Sequence, residues 1–403
     1  MSKEQLIVNN FLVIKEANFE VGKINVIIGS QATGKSLLTK LLYYFRKVIN
    51  ENIFLYNNKK DFIKNSILLF NKYFPNYIWK NEEFTILYKI EDIEIKLFKK
   101  IKERTVKMEP GEGLVTILKN IRFKTEKSRN KLNMKTVDRI VNHIVVNNNG
   151  VTYFTYKELN LENKVKNLLF IPANRSFFAT LQKNIFSFLS EDIDIDPFIK
   201  EFGSRYERIK SIQNKETIKN KLIADITKKI LNGNYLYQDK RDWIESDKKI
   251  INILNASSGQ QEALPMLIML DFYYNIKNVN IFIEEPEAHL FPISQKHIIS
   301  LISLIYNNGN NIVMTTHSPY ILTALNNYIL AYDIMKKNGD SSIKGIVEKD
   351  FCINYNDVKA YTFENGKLNT IMDNENRLIG INIIDSVSDD FAKVFDTLLS
   401  LED

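Results

Sequence analysis

Apolar and polar positions alternate over the first 28 residues, as half-buried β-strands require. The apolar positions of this alternation are Leu6, Val8, Phe11, Val13, Ala17, Phe19 and Val21. Gly22 marks a turn, and the mainly apolar run from Ile24 to Ile28 predicts a buried strand. The spacing then changes to a helical period, which predicts a helix from Lys35 to about Ile49. Its apolar positions are Leu37, Leu38, Leu41, Leu42 and Phe45.

The pattern is less regular between residues 51 and 250. Apolar positions from Phe62 to Phe70 predict one helix that ends near Pro75, and residues 84–99 predict a hairpin that turns at Glu91-Asp92. The run 147–150 is a turn signal between two short apolar stretches, and residues 168–171 predict a buried strand ended by Pro172. Residues 182–250 have long charged faces and few turn signals, which predicts helices.

A phosphate-binding loop connects the buried strand to the first helix. The run Gly29-Ser30-Gln31-Ala32-Thr33-Gly34-Lys35-Ser36 matches G-x-x-x-x-G-K-[ST] in its required strand–loop–helix context. Loop amides and the helix N-terminus would face a triphosphate, Lys35 would contact its β- and γ-phosphates, and the Ser36 hydroxyl would ligate Mg²⁺. We also assign Thr39, one turn into the helix, to the nucleotide-binding set. The sequence therefore predicts ATP and Mg²⁺ as ligands.

Two adjacent carboxylates follow a later buried strand. The run 281–283 is apolar and leads into Glu284-Glu285. Strand alternation sends the two side chains to opposite sides, so that one can reach Mg²⁺ while the other faces an attacking water. A further strand, from residue 311, ends at His317, which can reach the crevice where parallel sheets bind ligands. We therefore predict Lys35, Glu285 and His317 as catalytic residues and Ser36 and Glu284 as metal ligands.

Composition and charge limit the alternatives. The chain has 403 residues, of which 44% are hydrophobic and 26% charged, which suits a globular protein of two or three lobes. The single cysteine excludes an internal disulfide and fits a cytoplasmic protein. We find no signal peptide and no membrane span in the sequence, so no membrane partner is expected. The net charge of +7 permits a nucleic-acid partner, and residues 99–135 are the most basic part of the chain. A solvated charged face explains that segment as well.

The order of these motifs resembles the ABC-type ATPase heads, and most closely the OLD-like ATPases, often called AAA-family ATPases, found in bacterial defence systems. Between phosphate loop and carboxylates, residues 257–261 stand where such proteins carry the ABC signature. The resemblance implies that Ser257, Ser258, Gly259, Gln260 and Gln261 act in trans, with Ser258 and Gly259 touching the γ-phosphate of ATP held by a second subunit. It also implies that Glu284 acts on Mg²⁺ through water, that Glu285 orients or deprotonates the lytic water, and that His317 senses the γ-phosphate.

The resemblance implies an α/β fold, a P-loop NTPase of ABC-head type with an antiparallel β-subdomain and a helical or mixed insertion. We divide the chain into 1–50 with the phosphate loop, 51–166 as a mixed insertion, 167–250 as a returning strand with a helical lobe, and 251–403 as the second half of the head. Gln260 replaces a glycine of the transporter signature, and Ala32 replaces a common loop glycine. The metal carboxylate is Glu284 and not the usual Asp. These three departures favour the OLD-like branch over transporters. A magnesium-contacting Gln is not assigned; Gln182 is the candidate.

The predicted function is ATP binding and hydrolysis by a dimer or larger homo-oligomer formed around ATP. By resemblance, such a protein controls a separately encoded nuclease or toxin in anti-phage defence. Two alternatives stay open: a transporter's nucleotide-binding subunit, and a nucleotide-gated scaffold that hydrolyses little. OLD nucleases carry a Toprim domain, but Asp385, Asp389, Asp390 and Asp396 do not form its strand-borne pattern. The sequence therefore predicts no nuclease site in this chain.

Overall fold

The computed structural model describes residues 4–53, 58–127, 143–147, 150–154, 166–178, 195–212, 220–239, 241–246, 249–380, 393–395 and 397–398. The strands in chain order are β1 (Glu4–Phe11), β2 (Ile14–Val21), β3 (Ile24–Ile28), β4 (Phe84–Ile90), β5 (Ile93–Lys99), β6 (Lys107–Pro110), β7 (His143–Asn147), β8 (Gly150–Phe154), β9 (Asn167–Ile171), β10 (Asn234–Gln238), β11 (Arg241–Ser246), β12 (Lys249–Asn252), β13 (Val279–Glu284), β14 (Asn311–Thr316), β15 (Val358–Glu364), β16 (Lys367–Thr370), β17 (Met372–Asp373) and β18 (Leu378–Ile379).

The helices are α1 (Lys35–Lys47), α2 (Lys59–Tyr73), α3 (Asn76–Trp79), α4 (Glu112–Lys127), α5 (Pro197–Ile212), α6 (Lys221–Leu231), α7 (Ser258–Tyr274), α8 (Pro292–Asn307) and α9 (Pro319–Asn338). A π-helical turn, Val48–Asn52, continues α1. Short 3₁₀ turns lie at Ile253–Asn255, Asp340–Ile343, Lys349–Phe351 and Tyr355–Asp357.

One mixed sheet of eleven strands organises the chain, in the order β6-β5-β4-β1-β2-β16-β15-β3-β14-β13-β9. Strands β1, β2, β4, β5 and β6 pair antiparallel. Strands β15, β3, β14, β13 and β9 pair parallel. Because β3 lies between β14 and β15, segments from both ends of the sequence form one sheet. The predicted α/β class with an antiparallel β-subdomain is confirmed.

The parallel half of the sheet is buried on both faces, as βαβ connections require. In β13, Phe282 packs with the core that contains α1, whereas Ile281 and Ile283 pack with the core that contains α7, α8 and α9. In β14, Val313 and Met314 divide between the two cores in the same way. The carboxyl ends of β3, β13 and β14 therefore meet at one edge, between two packed layers of helices.

Most element predictions before residue 182 are confirmed, including the hairpin β4–β5 and the strand β9. The prediction of helices throughout 182–250 is wrong from residue 234 onward, because β10, β11 and β12 form a separate antiparallel sheet. Residues 182–194 and 213–219 of that range lie outside the described residues. Asn232, in the left-handed region with φ 48°, ends α6, and Gly233 then approaches Ile244 too closely to accept a side chain. A second correction concerns Lys99: it is buried and donates to the Glu82 carbonyl at 2.6 Å, so it does not belong to a basic surface.

Candidate nucleotide site

The phosphate loop has the backbone that its glycines allow. Gly29 and Gly34 have φ of 149° and 112°, values that side chains disfavour. A Cβ on Gly34 would also lie 2.9 Å from the Ile14 side chain. Ala32 adopts a φ of 58° in the same loop although it carries a Cβ. The loop ends at the N-terminus of α1, where backbone amides favour an anion.

The ammonium of Lys35 is held inside this loop. The residue is 5% exposed, and its Nζ donates to the carbonyls of Gly29 at 2.8 Å and Ser30 at 2.5 Å. Burial lowers the pKa of Lys35, and the nearby charges of Glu285 and Glu287 oppose that shift. A buried cation that donates to loop carbonyls is well placed to exchange them for phosphate oxygens.

Glu284 ends β13 and points toward the first turn of α1. It is 6% exposed, and its Oε2 accepts from the Ala173 amide at 3.3 Å. Burial raises the pKa of Glu284, while Lys40, the Ala173 amide and a hydrogen bond with Ser36 lower it. The other oxygen, Oε1, is buried and has no hydrogen-bond partner.

This unpaired carboxylate oxygen beside the Ser36 hydroxyl fits a Mg²⁺ ion. Among the described residues, no group of three or more His, Cys, Asp and Glu side chains could hold a metal by itself. Magnesium at phosphate sites takes few protein ligands and completes its shell with phosphate oxygens and water. Ser36 and Glu284 are therefore the residues that would hold it.

Glu285 and His317 face each other across the ends of β13 and β14. His317 Nε2 lies 3.2 Å from Glu285 Oε1, and His317 Nδ1 lies 3.5 Å from Lys35 Nζ. Both side chains are about one-third exposed, so water can reach the carboxylate. Glu285 has a φ of 45°, a left-handed conformation that is strained for a residue with a side chain. The structure thus brings the three predicted catalytic residues together.

Glu287 is a third carboxylate of the site that the sequence reasoning missed. Its Oε1 accepts from the Thr316 hydroxyl and from the His317 amide, both at 2.7 Å. Its Oε2 is buried without a hydrogen-bond partner. The signal was the third acid in Glu284-Glu285-Pro286-Glu287, two residues beyond the pair. Glu287 fixes the backbone that carries His317.

Arg175 contacts the backbone of both carboxylates. Its side chain is fully buried and donates to the carbonyls of Glu284 at 2.7 Å and Glu285 at 3.0 Å. A buried ion pair joins it to Glu262 on α7, with 3.4 Å between Nη2 and Oε1. No sequence motif identifies Glu262 as part of the site, because its partner Arg175 lies 87 residues away in the chain.

The predicted signature forms the start of α7. Ser257 is the N-cap of a capping box: its hydroxyl accepts from the Gln260 amide, and the Gln260 side chain accepts from the Ser257 amide. Gln260 Nε2 also donates to the Leu231 carbonyl at 2.7 Å, and Gln261 Nε2 donates to the carbonyls of Leu254 and Ala256. The glutamines therefore hold the segment in place within their own chain.

The remaining predicted residues have less direct positions. Ser30 and Gln31 are exposed, and Thr33 donates to the Ser30 carbonyl at 3.0 Å. Thr39 is buried and donates to the Ser36 carbonyl at 2.9 Å, so its hydroxyl faces its own helix. Gln182 and the four aspartates assigned to the tail lie outside the described residues. None of the described helices is long and apolar enough to cross a bilayer.

Comparison with known proteins gives the family. The AAA ATPase domain family matches residues 1–322. No curated protein matches the chain. Among solved structures, the chain is similar to the SMC head domain from Thermotoga maritima, with 11% identity, coverage of 92% of this chain and 98% of that one, and a TM-score of 0.38.

A second similar structure is the Smc head domain with an extended coiled coil, bound to the C-terminal domain of ScpA, from Pyrococcus furiosus. It has 10% identity, coverage of 96% and 100%, and a TM-score of 0.41. The family match spans the phosphate loop, the signature position, the carboxylate pair and His317. The chain belongs to the AAA ATPase domain family.

Proposed function

We propose that this chain binds ATP with Mg²⁺ and hydrolyses it. The observation that carries the proposal is the line of contacts from Lys35 through His317 to Glu285, beside the buried pair of Ser36 and Glu284. Phosphate-binding, water-activating and metal-binding groups converge at one sheet edge. A scaffold that only bound nucleotide would not need the water-facing carboxylate.

Each group has a distinct task in the reaction. The loop amides and Lys35 hold the β- and γ-phosphates and stabilise the charge that develops on them. Glu285 orients the attacking water and accepts its proton, and His317 holds that carboxylate at the γ-phosphate side. Mg²⁺, when bound, neutralises charge on the phosphate oxygens.

We infer further that the site is completed by a second copy of the chain. Ser257 and Ser258 are exposed at the N-terminus of α7, where backbone amides favour an anion. Exposed apolar side chains lie just beyond the catalytic loops: Phe291 is 75%, Ile293 is 56% and Tyr320 is 54% exposed. Their exposure is the kind that a partner surface covers.

Mixing two inactive variants tests this arrangement. Lys35→Ala removes the phosphate-binding cation, and Ser258→Arg blocks the signature. In a mixed dimer, one site carries both lesions and the other is intact. Mixing should therefore restore activity, up to about one working site per heterodimer, as expected for lesions that act on different sites.

The companion measurement is the mass in solution of the Glu285→Gln protein, and hence its oligomeric state, with and without saturating ATP and Mg²⁺. ATP should increase it, because bound nucleotide joins the two copies. A variant that stays monomeric, together with full activity of Ser258→Arg alone, would contradict the shared site and return hydrolysis to a single chain.

For the wider role, we propose a cytoplasmic regulator of bacterial anti-phage defence that controls a separate nuclease or toxin. This rests on the resemblance of the motifs to OLD-like ATPases and is an analogy of family. Neighbouring genes and co-purifying proteins test it: a nuclease or toxin would support it, whereas a membrane permease would favour the transporter subunit.

A further inference from the structure

Arg175 is bonded to the main chain of the catalytic carboxylates. Its Nη1 donates to the carbonyls of Pro172 at 2.8 Å and Glu284 at 2.7 Å, and its Nη2 donates to the carbonyl of Glu285 at 3.0 Å. The side chain is fully buried. A buried guanidinium is costly to desolvate and is retained where its donors are matched, as they are here.

The opposite side of Arg175 is bonded to Glu262, on the second turn of α7. Arg175 Nε donates to the Glu262 carbonyl at 3.1 Å. The Glu262 carboxylate accepts from the amides of Arg175 at 2.9 Å and Ser176 at 2.7 Å. Glu262 is 1% exposed and lies one helical turn beyond Ser258, so the contact reaches the base of the predicted signature.

We propose that Arg175 and Glu262 form a buried crossbridge that aligns two working parts of one chain. One part is the strand end with Glu285, which acts in the chain's own site. The other is the N-terminus of α7 with Ser258, which acts in the partner's site. The inference rests on the shared site proposed above, and it makes Arg175 and Glu262 positioning residues for both sites at once.

The local geometry explains why such a bridge is needed. Glu285 has a φ of 45°, and a strained backbone persists only where its surroundings over-determine it. The guanidinium donates to the carbonyl that precedes this strained residue, that of Glu284, and to the carbonyl of Glu285 itself. The loop that follows Glu285 also lies close to α7, since a Cβ on Gly259 would lie 2.6 Å from the His289 carbonyl oxygen. A shift of either part therefore displaces the other.

The test uses Arg175→Lys, which keeps the charge but cannot supply the same set of donors. The variant should bind ATP with an affinity within about threefold of the parent, because Lys35 makes no contact with the crossbridge, and lose roughly tenfold to a hundredfold in kcat. Glu262→Gln should behave in the same way, since its amide cannot accept from both backbone amides. If Arg175→Lys does not fold, Glu262→Gln still tests the proposal.

Mixing experiments separate the crossbridge from a lesion of one site. Lys35→Ala with Ser258→Arg is the reference pair and should recover activity. Arg175→Lys should recover little with either, because its own catalytic site and its signature are both displaced. Recovery to the reference level with Lys35→Ala would restrict Arg175 to the signature, and recovery with Ser258→Arg would restrict it to catalysis in cis; either result overturns the proposal.

The matched control is Arg46→Lys, at the far end of α1. Arg46 is also a buried arginine, with 2.8 Å bonds from Nε and Nη2 to the two oxygens of Glu4. The Arg46→Lys substitution should lower the melting temperature but leave kcat of the folded protein unchanged. An equal loss of kcat in Arg46→Lys would reduce the crossbridge to a general stability effect. A reference pair that never recovers, with each variant folded and with Glu285→Gln monomeric in saturating ATP and Mg²⁺, would instead contradict the shared site.

Discussion

Glu285 Oε1 lies 3.2 Å from His317 Nε2, although 32 residues separate them in the chain. The register of β13 and β14 places Glu284 opposite Thr315, so that the next residues leave adjacent strands at the same level. The Glu287 carboxylate then accepts from the His317 amide and so fixes the His317 backbone. The water-activating carboxylate and its histidine are thus brought together by strand pairing.

The first prediction separates binding from turnover. Lys35→Ala should abolish ATP binding and hydrolysis together, because it removes the cation that holds the phosphates. Glu285→Gln should keep ATP affinity within a few-fold and lose phosphate release by about 10²-fold or more, because the amide cannot accept the proton. Nucleotide titration and phosphate release measure the two steps. Normal turnover by Glu285→Gln would remove that residue from catalysis.

The second prediction concerns strain in the phosphate loop. Ala32 has a φ of 58°, where an alanine costs roughly 1 kcal/mol more than a glycine. Ala32→Gly should therefore stabilise the fold by about 0.5 kcal/mol, after the entropy of the more flexible unfolded chain is subtracted. Denaturant unfolding measures the change. The control, Ala224→Gly within α6, should destabilise by about 1 kcal/mol; equal effects at both positions would argue against strain at Ala32.

The third prediction is an acid-dependent loss of stability through Glu201. Its carboxylate accepts from Tyr43 at 2.6 Å, Lys47 at 2.9 Å and Arg205 at 2.8 Å. Burial alone would raise the pKa of Glu201, but Lys47, Tyr43 and Arg205 outweigh it and lower the pKa to about 2. A lowered pKa stabilises the folded state above the ordinary value near pH 4.5, and this contribution disappears as the pH falls toward 2.

Glu201→Gln should therefore cost about 3 kcal/mol at pH 7 and progressively less below pH 4.5. Unfolding free energies of both proteins, measured from pH 7 to pH 3, give the difference. Glu51→Gln is the control: its carboxylate also contacts Lys47, at 3.1 Å, but is 45% exposed. That variant should change stability by less than about 1 kcal/mol. A pH-independent gap for Glu201→Gln would exclude the ionic contribution.

The fourth prediction tests the basic segment that contains α4. If it binds DNA or RNA, affinity should fall steeply with salt, because Lys and Arg displace counterions from phosphates. Reversing Lys124, Lys127 and Lys131 to Glu should weaken binding and reduce the salt slope by about 3; Lys131 lies outside the described residues. The control reverses Lys336 and Lys337, at the end of α9. No binding by the parent protein at low salt would leave the segment as a solvated face or a protein contact.

The sequence was most informative where a short motif encodes both structure and chemistry. The phosphate loop, the carboxylate pair and His317 were predicted correctly on strand ends, because hydrophobic strands followed by glycine or acidic residues carry a strong local signal. The prediction of helices failed from residue 234 to residue 250, where polar side chains in β10 and charged side chains in β11 and β12 interrupt the apolar pattern. Partly exposed strands of a small sheet lack the mainly apolar, fully buried run that marked β3.

The sequence alone determined the α/β class, the loop that holds Lys35 and the residues at the ends of β13 and β14. Only the tertiary structure decided which side chains support them: Arg175 with Glu262, and Glu287 with the His317 backbone. These partners come from segments far apart in the chain, and their bonds are to backbone groups, which no residue pattern identifies. The physical reason is strand order: the parallel pairing of β9, β13 and β14 brings three loops to one sheet edge, and there the buried polar groups must find partners.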